Sequence, residues 1–209
     1  MHILVINPGA TSTKLAVFQE KQEEWRSTLL HSQEDLAPFH HVNEQTGYRL
    51  ELILQEVEKA GYHMADFAAV VGRGGLLRHI PSGTYKVNQR AVDDMNDPPM
   101  GEHAANLGVL ICDELTRRYG MPSYFVDPVS VDELEPVARI SGQAAFERQS
   151  FFHALNQKSV ARRAAEKLGK SYEDCNFIVV HMGGGVSVAA HRKGKVVDVY
   201  NVKDEGAFS

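Results

Sequence analysis

Residues 3–18 read I-L-V-I-N-P-G-A-T-S-T-K-L-A-V-F. The apolar run Ile3 to Ile6 predicts a short strand, and Asn7-Pro8-Gly9-Ala10 predicts a turn. Thr11 to Phe18 then alternates, with Thr13, Leu15 and Val17 on one side and Ser12, Lys14 and Ala16 on the other. A third strand is expected over Trp25 to Leu30. The chain therefore opens with antiparallel strands, which a plain dinucleotide-binding α/β domain does not have.

Working outward, Leu50, Ile53, Leu54 and Val57 recur at helical spacing and predict a helix over about 44–60, stopped by Gly61. Phe67 to Val71 predicts a strand that runs into Gly72-Arg73-Gly74-Gly75. Residues 76–100, with Pro81, Pro98 and Pro99, read as irregular. A helix follows over 101–118, then a strand over Tyr124 to Val126 closed by Asp127-Pro128. A short helix is expected near 130–134. A longer one is expected over Glu147 to Leu168, with Val160, Ala161, Ala164 and Leu168 as its buried stripe. Phe177 to Val180, Val186 to Ala190 and Val196 to Tyr200 read as strands, the last two joined by a turn at 192–195.

The opening pattern has an echo. Residues 3–18 run strand, Gly-containing turn, hydroxyl residues, strand, and residues 177–190 run strand, Gly183-Gly184-Gly185, Ser187, strand. Two such units separated by a βαβα stretch suggest a duplicated α/β plan, as in phosphotransferases of the actin and sugar-kinase type. The expected division is a first domain over 1–150, a linking helical segment over 151–175, and the first hairpin of a second domain over 176–209. The chain stops soon after that hairpin, so a truncated second domain is expected.

Composition narrows the function. The 209 residues are 43% hydrophobic with a formal net charge of -5. This supplies a sizeable core and no basic surface for nucleic acid. Neither a signal peptide nor a membrane span is expected. Cys112 and Cys175 lack metal spacing and read as buried free thiols of a reducing compartment, the cytoplasm. A homo-oligomer, dimer or larger, is expected.

Several residues have the chemistry of an anion site. Asn7 to Lys14 combines a glycine turn with Asn7, Ser12, Thr13 and Lys14, which makes it either a phosphate cradle or a polar hairpin turn; it is not a Walker motif. Arg73 ends a strand between glycines that leave its guanidinium accessible, where a fork of donors suits a carboxylate or phosphoryl group. A surface arginine in a flexible loop is the competing reading. Asp127, at the next strand end, suits a metal ion, a partner for Arg73, or a helix cap. His153 precedes a helix and is either a donor to a phosphoryl group in flight or a capping or core histidine. His181 and Ser187 flank the three glycines, whose lack of side chains leaves room for a phosphate chain or makes a flexible loop. Other histidines, His103 among them, show no metal spacing.

The ordered set of motifs is more specific than any member. I-N-P-G-A-T-S-T-K at 6–14, V-G-R-G-G-L-L-R at 71–78, P-S-G-T-Y at 81–85 and G-E-H-A-A-N-L-G at 101–108 resemble the butyrate kinases. So do V-D-P-V-S-V-D-E-L at 126–134, A-R-I-S-G at 138–142, F-F-H-A-L-N-Q-K-S-V-A-R-R at 151–163 and H-M-G-G-G-V-S-V at 181–188. The resemblance implies an actin-like (ribonuclease H-like) ATPase fold and transfer of a phosphoryl group between ATP/ADP and butanoate with Mg2+. It implies that Arg73, His153 and Asp127 are catalytic. Asn7, Ser12, Thr13, Lys14, His181, Gly183, Gly184, Gly185 and Ser187 would hold the nucleotide, and Asn7 and Asp127 the metal. A short-chain carboxylate or its acyl phosphate is the implied partner. Two other outcomes stand beside it: a catalytically incomplete fragment, and an actin-like kinase with an alcohol acceptor. Ala10 replaces a serine usual in the family, Ala207 replaces a proline, and the family continues well beyond Ser209.

Overall fold

A computed structural model describes residues 1–183 and 185–200. They form two compact units, one of Met1–Arg78 with Thr84–Val126, the other of His79–Gly83 with the residues from Asp127 on. The division falls at 126/127 rather than at 150. The cause is packing: Val131, Leu134, Ala138 and Phe152 share one apolar cluster with Ala189, Val196 and Val199. Residues 127–153 thus belong to the later strands.

The first unit is built on a six-stranded mixed sheet of order β3-β2-β1-β4-β6-β5. Its strands are β1 (His2–Pro8), β2 (Ser12–Gln19), β3 (Gln22–Leu30), β4 (Phe67–Arg73), β5 (Thr84–Lys86) and β6 (Ser123–Val126). β1, β2 and β3 form the expected antiparallel opening, while β4 runs parallel to both β1 and β6. The parallel neighbours require crossovers. Helices α2 (Thr46–Lys59) and α4 (Leu107–Tyr119) supply them, after a single-turn α1 (Gln33–Leu36). Leu4, Ile6, Leu15 and Val17 from the sheet meet Leu50, Ile53, Leu107, Ile111 and Leu115 from the helices in one buried core. Gly120 ends α4 in the left-handed conformation at φ 80°, a backbone that glycine adopts without strain.

The stretch 76–100 is more ordered than its prolines suggest. It contains β5 and a helix, α3 (Gln89–Asn96), whose N-cap Asn88 accepts from the Ala91 amide at 3.0 Å. Ala91, Val92 and Met95 are buried, so the apolar stripe of this helix is only two turns long.

In the second unit, β7 (Asn176–Met182), β8 (Val186–Arg192) and β9 (Lys195–Tyr200) form an antiparallel sheet, with α5 (Ala154–Lys167) on the chain before them. α5 begins seven residues later than the expected Glu147, and the turn at 129–130 is not a helix. Its buried face is also rotated from the expected stripe. Ala154, Gln157, Lys158, Ala161 and Ala165 are inside, whereas Val160 and Leu168 are 39% and 63% exposed. The polar pair is admitted because it is satisfied: Lys158 Nζ donates to Glu133 Oε2 at 2.7 Å and to the Gly194 carbonyl at 3.2 Å. On β7, Ile178, Val180 and Met182 are exposed. Among the described residues no helix is long and apolar enough to cross a membrane.

Candidate active site

The turn between β1 and β2 is organised from below by Arg49 of α2, a fully buried arginine. Its Nη1 donates to the Gly9 carbonyl at 2.8 Å and to Thr13 Oγ1 at 3.1 Å, and its Nη2 to the Ala10 carbonyl at 3.2 Å. Nε and Nη2 both reach Gln45 Oε1. All these acceptors are neutral oxygens, and burial holds the guanidinium below its ordinary range. Trans peptide units are planar, so a carbonyl drawn inward turns the following N–H outward. With Gly9 and Ala10 carbonyls held by Arg49, the Ala10 and Thr11 amides face the exposed side of the turn.

The same geometry sorts the predicted turn residues. Ser12 is half-buried and Lys14 exposed. Thr13 is wholly buried, with its hydroxyl spent on Arg49 and on His31 Nε2 at 2.9 Å, so it supports the turn and has no hydroxyl left for a ligand. Asn7 Oδ1 is buried without a hydrogen-bond partner. An unpaired buried oxygen is costly, and this one is a hard acceptor of the kind a Mg2+-bound water satisfies.

Arg73 ends β4 beside that turn. The register pairs Ile6 with Gly72, so Asn7 and Arg73 are the next residues on adjacent parallel strands. Arg73 is half-buried. No carboxylate pairs with it among the described residues, and desolvation pulls its guanidinium below the ordinary range. A partly desolvated cation without a counter-ion is unfavourable unless a ligand completes it. Gly72 has a packing role beyond the expected one. A Cβ on Gly72 would collide with the Gly108 backbone and Cys112 Sγ, one on Gly75 with Asn106, and one on Gly108 with the Arg73 carbonyl. These glycines let β4 and the following loop lie directly on α4. Asn106 Oδ1 also accepts from the Leu76 amide at 2.8 Å. Arg78 pairs with Asp94, a structural contact.

His103, passed over in the sequence for want of metal spacing, proves to be electrostatically coupled to Arg73. Burial of its ring, and then the Arg73 charge, hold its imidazole below the usual range. Its Nδ1 accepts from the Ala105 amide at 3.0 Å, which places the proton of the neutral ring on Nε2.

In the second unit His153, His181 and Ser187 come together. His153 sits at the N-cap of α5. Its Nδ1 lies 2.8 Å from Ser187 Oγ, and its ring stacks on His181 with centroids 3.7 Å apart. His181 Nδ1 contacts Asn156 Oδ1 at 3.1 Å. Gly183 N–H donates to the Gly185 carbonyl at 3.0 Å across the loop; Gly184 lies outside the described residues. Asp127 takes the left-handed backbone at φ 39°. Its Oδ1 accepts from Ser82 Oγ at 2.6 Å and the Gly83 amide at 2.9 Å, and Arg162 stands 3.8 Å from Oδ2. The carboxylate is thus engaged inside its own unit, as the tie for the 82–83 loop. It caps no following helix, since residues 131–135 are not helical. Among the described residues there is no group of three or more His, Cys, Asp or Glu side chains placed to hold a metal ion.

Residues 142–200 match the Acetokinase family. Butyrate kinase 1 of Clostridium acetobutylicum is 49% identical over 208 residues, 99% of this chain and 59% of the relative. The chain is similar to the butyrate kinases over nearly its whole length. It spans about three-fifths of the length of the curated relatives it matches. The solved acetate kinase of Porphyromonas gingivalis aligns over 99% of the chain and 58% of that structure, with a TM-score of 0.71 at 19% identity. A propionate kinase from Francisella tularensis gives 0.64 at 18% identity. At those identities the two structures speak to the fold alone, the actin-like ATPase plan.

The residues that sequence reasoning missed are the supporting ones. Arg49 carries no local motif, and Gln157 and His103 had no role assigned within the stretches that resemble the family. Only the E-H-A-A-N stretch at 102–106, seen as part of a resemblance, marked the vicinity of His103 and Asn106.

Proposed function

We propose that the protein to which these residues belong moves the γ-phosphoryl group of ATP to the carboxylate of butanoate or a similar short-chain acid. The observation that carries this reading is Arg73: a partly desolvated guanidinium with no acidic partner among the described residues, one residue beyond a strand pairing that puts it beside the Asn7–Ser12 turn. A planar fork of donors suits both groups that meet in such a reaction, the carboxylate and the phosphoryl group. The 49% identity to butyrate kinase 1 supports the choice of acceptor.

An ionised carboxylate is already a nucleophile, so this chemistry asks for charge stabilisation rather than a base. Arg73 would orient the carboxylate and meet the charge that spreads over the transferred group. The outward amides of Ala10 and Thr11, with Ser12 and Lys14, would line the phosphate path, and His153, in the second unit, would act as a donor to a phosphoryl oxygen. Mg2+ fits Asn7 through its unpaired Oδ1; when bound, the ion neutralises phosphate charge. Asp127 fits less well, because its Oδ1 already accepts two hydrogen bonds.

The test is Arg73→Ala in the full-length protein, with butanoyl phosphate trapped by hydroxylamine. Turnover should fall by about a hundredfold or more, as for loss of a transition-state donor. Near-native turnover would overturn the role given to Arg73. Phosphorylation of an alcohol with no acyl phosphate formed would replace the acceptor.

A further inference from the structure

A continuous line of hydrogen bonds runs from the interior of the second unit to His153. Tyr172 Oη meets His191 Nδ1 at 2.6 Å, and His191 Nε2 meets Gln157 Oε1 at 3.1 Å. Gln157 Nε2 reaches Ser187 Oγ at 2.9 Å and the Ser187 carbonyl at 3.1 Å. Ser187 Oγ meets His153 Nδ1 at 2.8 Å. Gln157, Ser187 and His191 are buried, at 0%, 0% and 2% exposure. Solvent therefore cannot substitute for a missing partner in the middle of the line.

The direction of every bond follows from one fixed group. A backbone carbonyl can only accept, so the Gln157 nitrogen must face Ser187. Gln157 Oε1 then faces His191, and His191 must carry its proton on Nε2. Its Nδ1 is left to accept from the Tyr172 hydroxyl. Burial, and after it the charge of Lys158, pulls the His191 pKa down to about 4, consistent with a neutral ring. At the other end, Ser187 Oγ accepts from Gln157 and from the His153 backbone amide at 3.4 Å. Both lone pairs are used, so the hydroxyl proton goes to His153 Nδ1. That nitrogen is then an acceptor, and the ring proton sits on Nε2.

We propose that Gln157, through Ser187, sets His153 as the neutral Nε2–H tautomer, so that the histidine can only donate to an anionic group and cannot take a proton from one. This deepens the role given to His153 above and rests on that reading. Gln157, His191 and Tyr172 are positioning residues, since none of them reaches the reacting atoms through this line. The fixed tautomer suits a carboxylate acceptor, which has no proton to remove.

The test reads the tautomer directly, by long-range 15N–1H correlation on histidine-labelled protein at neutral pH, with the His153 signals assigned by His153→Gln. The native protein should show His153 with a protonated Nε2 and a pyridine-type Nδ1. Gln157→Glu replaces the donor to Ser187 by an acceptor. The Ser187 proton should then turn to Glu, and His153 should switch to Nδ1–H. A native spectrum with Nδ1 protonated would overturn the proposal, as would a folded Gln157→Glu protein with the native pattern. If that variant does not fold, the native spectrum decides alone. The measurement needs no turnover, so a failed kinase assay and a failed tautomer assignment remain distinct results.

Discussion

The two hairpins at β1–β2 and β7–β8 are built alike around a buried hydroxyl, and they differ in what faces it. Thr13 is the second residue of β2 and Ser187 the second of β8. Each is fully buried, each touches a histidine ring nitrogen, and each accepts from a long side chain of a helix. In the first hairpin that side chain is Arg49, a donor with a fixed charge. It gathers carbonyls and thereby shapes the backbone of a turn. In the second it is Gln157, which has both a donor and an acceptor end. It passes an orientation from one histidine to another. A cation in this position organises main chain, and an amide organises protons.

The comparison can be broken at several points. Arg49→Met removes all the guanidinium donors and leaves the Gly9 and Ala10 carbonyls without a buried partner. The expected loss is the largest, about 3 kcal/mol or more in chemical denaturation. A loss under about 1 kcal/mol would show that the turn holds its shape without the arginine.

The second hairpin should respond to pH instead. His191 has a folded pKa of about 4, below the unfolded value of about 6.5. Between these values the unfolded chain binds more protons, so stability is full above about pH 6.5 and falls as the pH drops toward 4. The drop is at most about 3 kcal/mol. Denaturation midpoints at pH 7 and pH 5, compared between the native protein and His191→Gln, measure it; equal pH slopes in the two would refute the assignment.

The smallest effect is expected from Gln157→Leu, which keeps the side-chain volume and strands the Ser187 and His191 polar groups. About 1–3 kcal/mol should be lost. An unchanged midpoint would mean that Ser187 and His191 find other partners, and the contrast between the two hairpins would lose its meaning.

The sequence made the backbone plan legible and left the supports hidden. Weak alternation at Thr13, Leu15 and Val17 announced β2, and the apolar run ending at Gly72 announced β4. Both signals are local and repeat at the strand period. α3 was concealed because prolines bracket a helix with only three buried apolar residues. The stripe of α5 was misplaced because counting apolar side chains favours Val160 and Leu168, whereas the fold buries Gln157 and Lys158 against Ser187 and Glu133. A buried polar side chain cannot be told from a solvated one until its partner is known. Here the partners lie 30 and 25 positions away in the chain. Arg73, Asn7 and His153 were visible as residues at element ends. That no carboxylate among the described residues pairs with Arg73, and that Asp127 Oδ1 already accepts two hydrogen bonds, became apparent only from the folded contacts.

Cys112 lies in the contact that seats Arg73. Its sulfur is fully buried against Gly72, and burial keeps the thiol well above its ordinary range. Thiolate is the form that alkylating reagents attack. The rate at which such a reagent consumes this sulfur therefore clocks how often β4 lifts from α4, giving the protein its own native gauge of how firmly the arginine's platform is held.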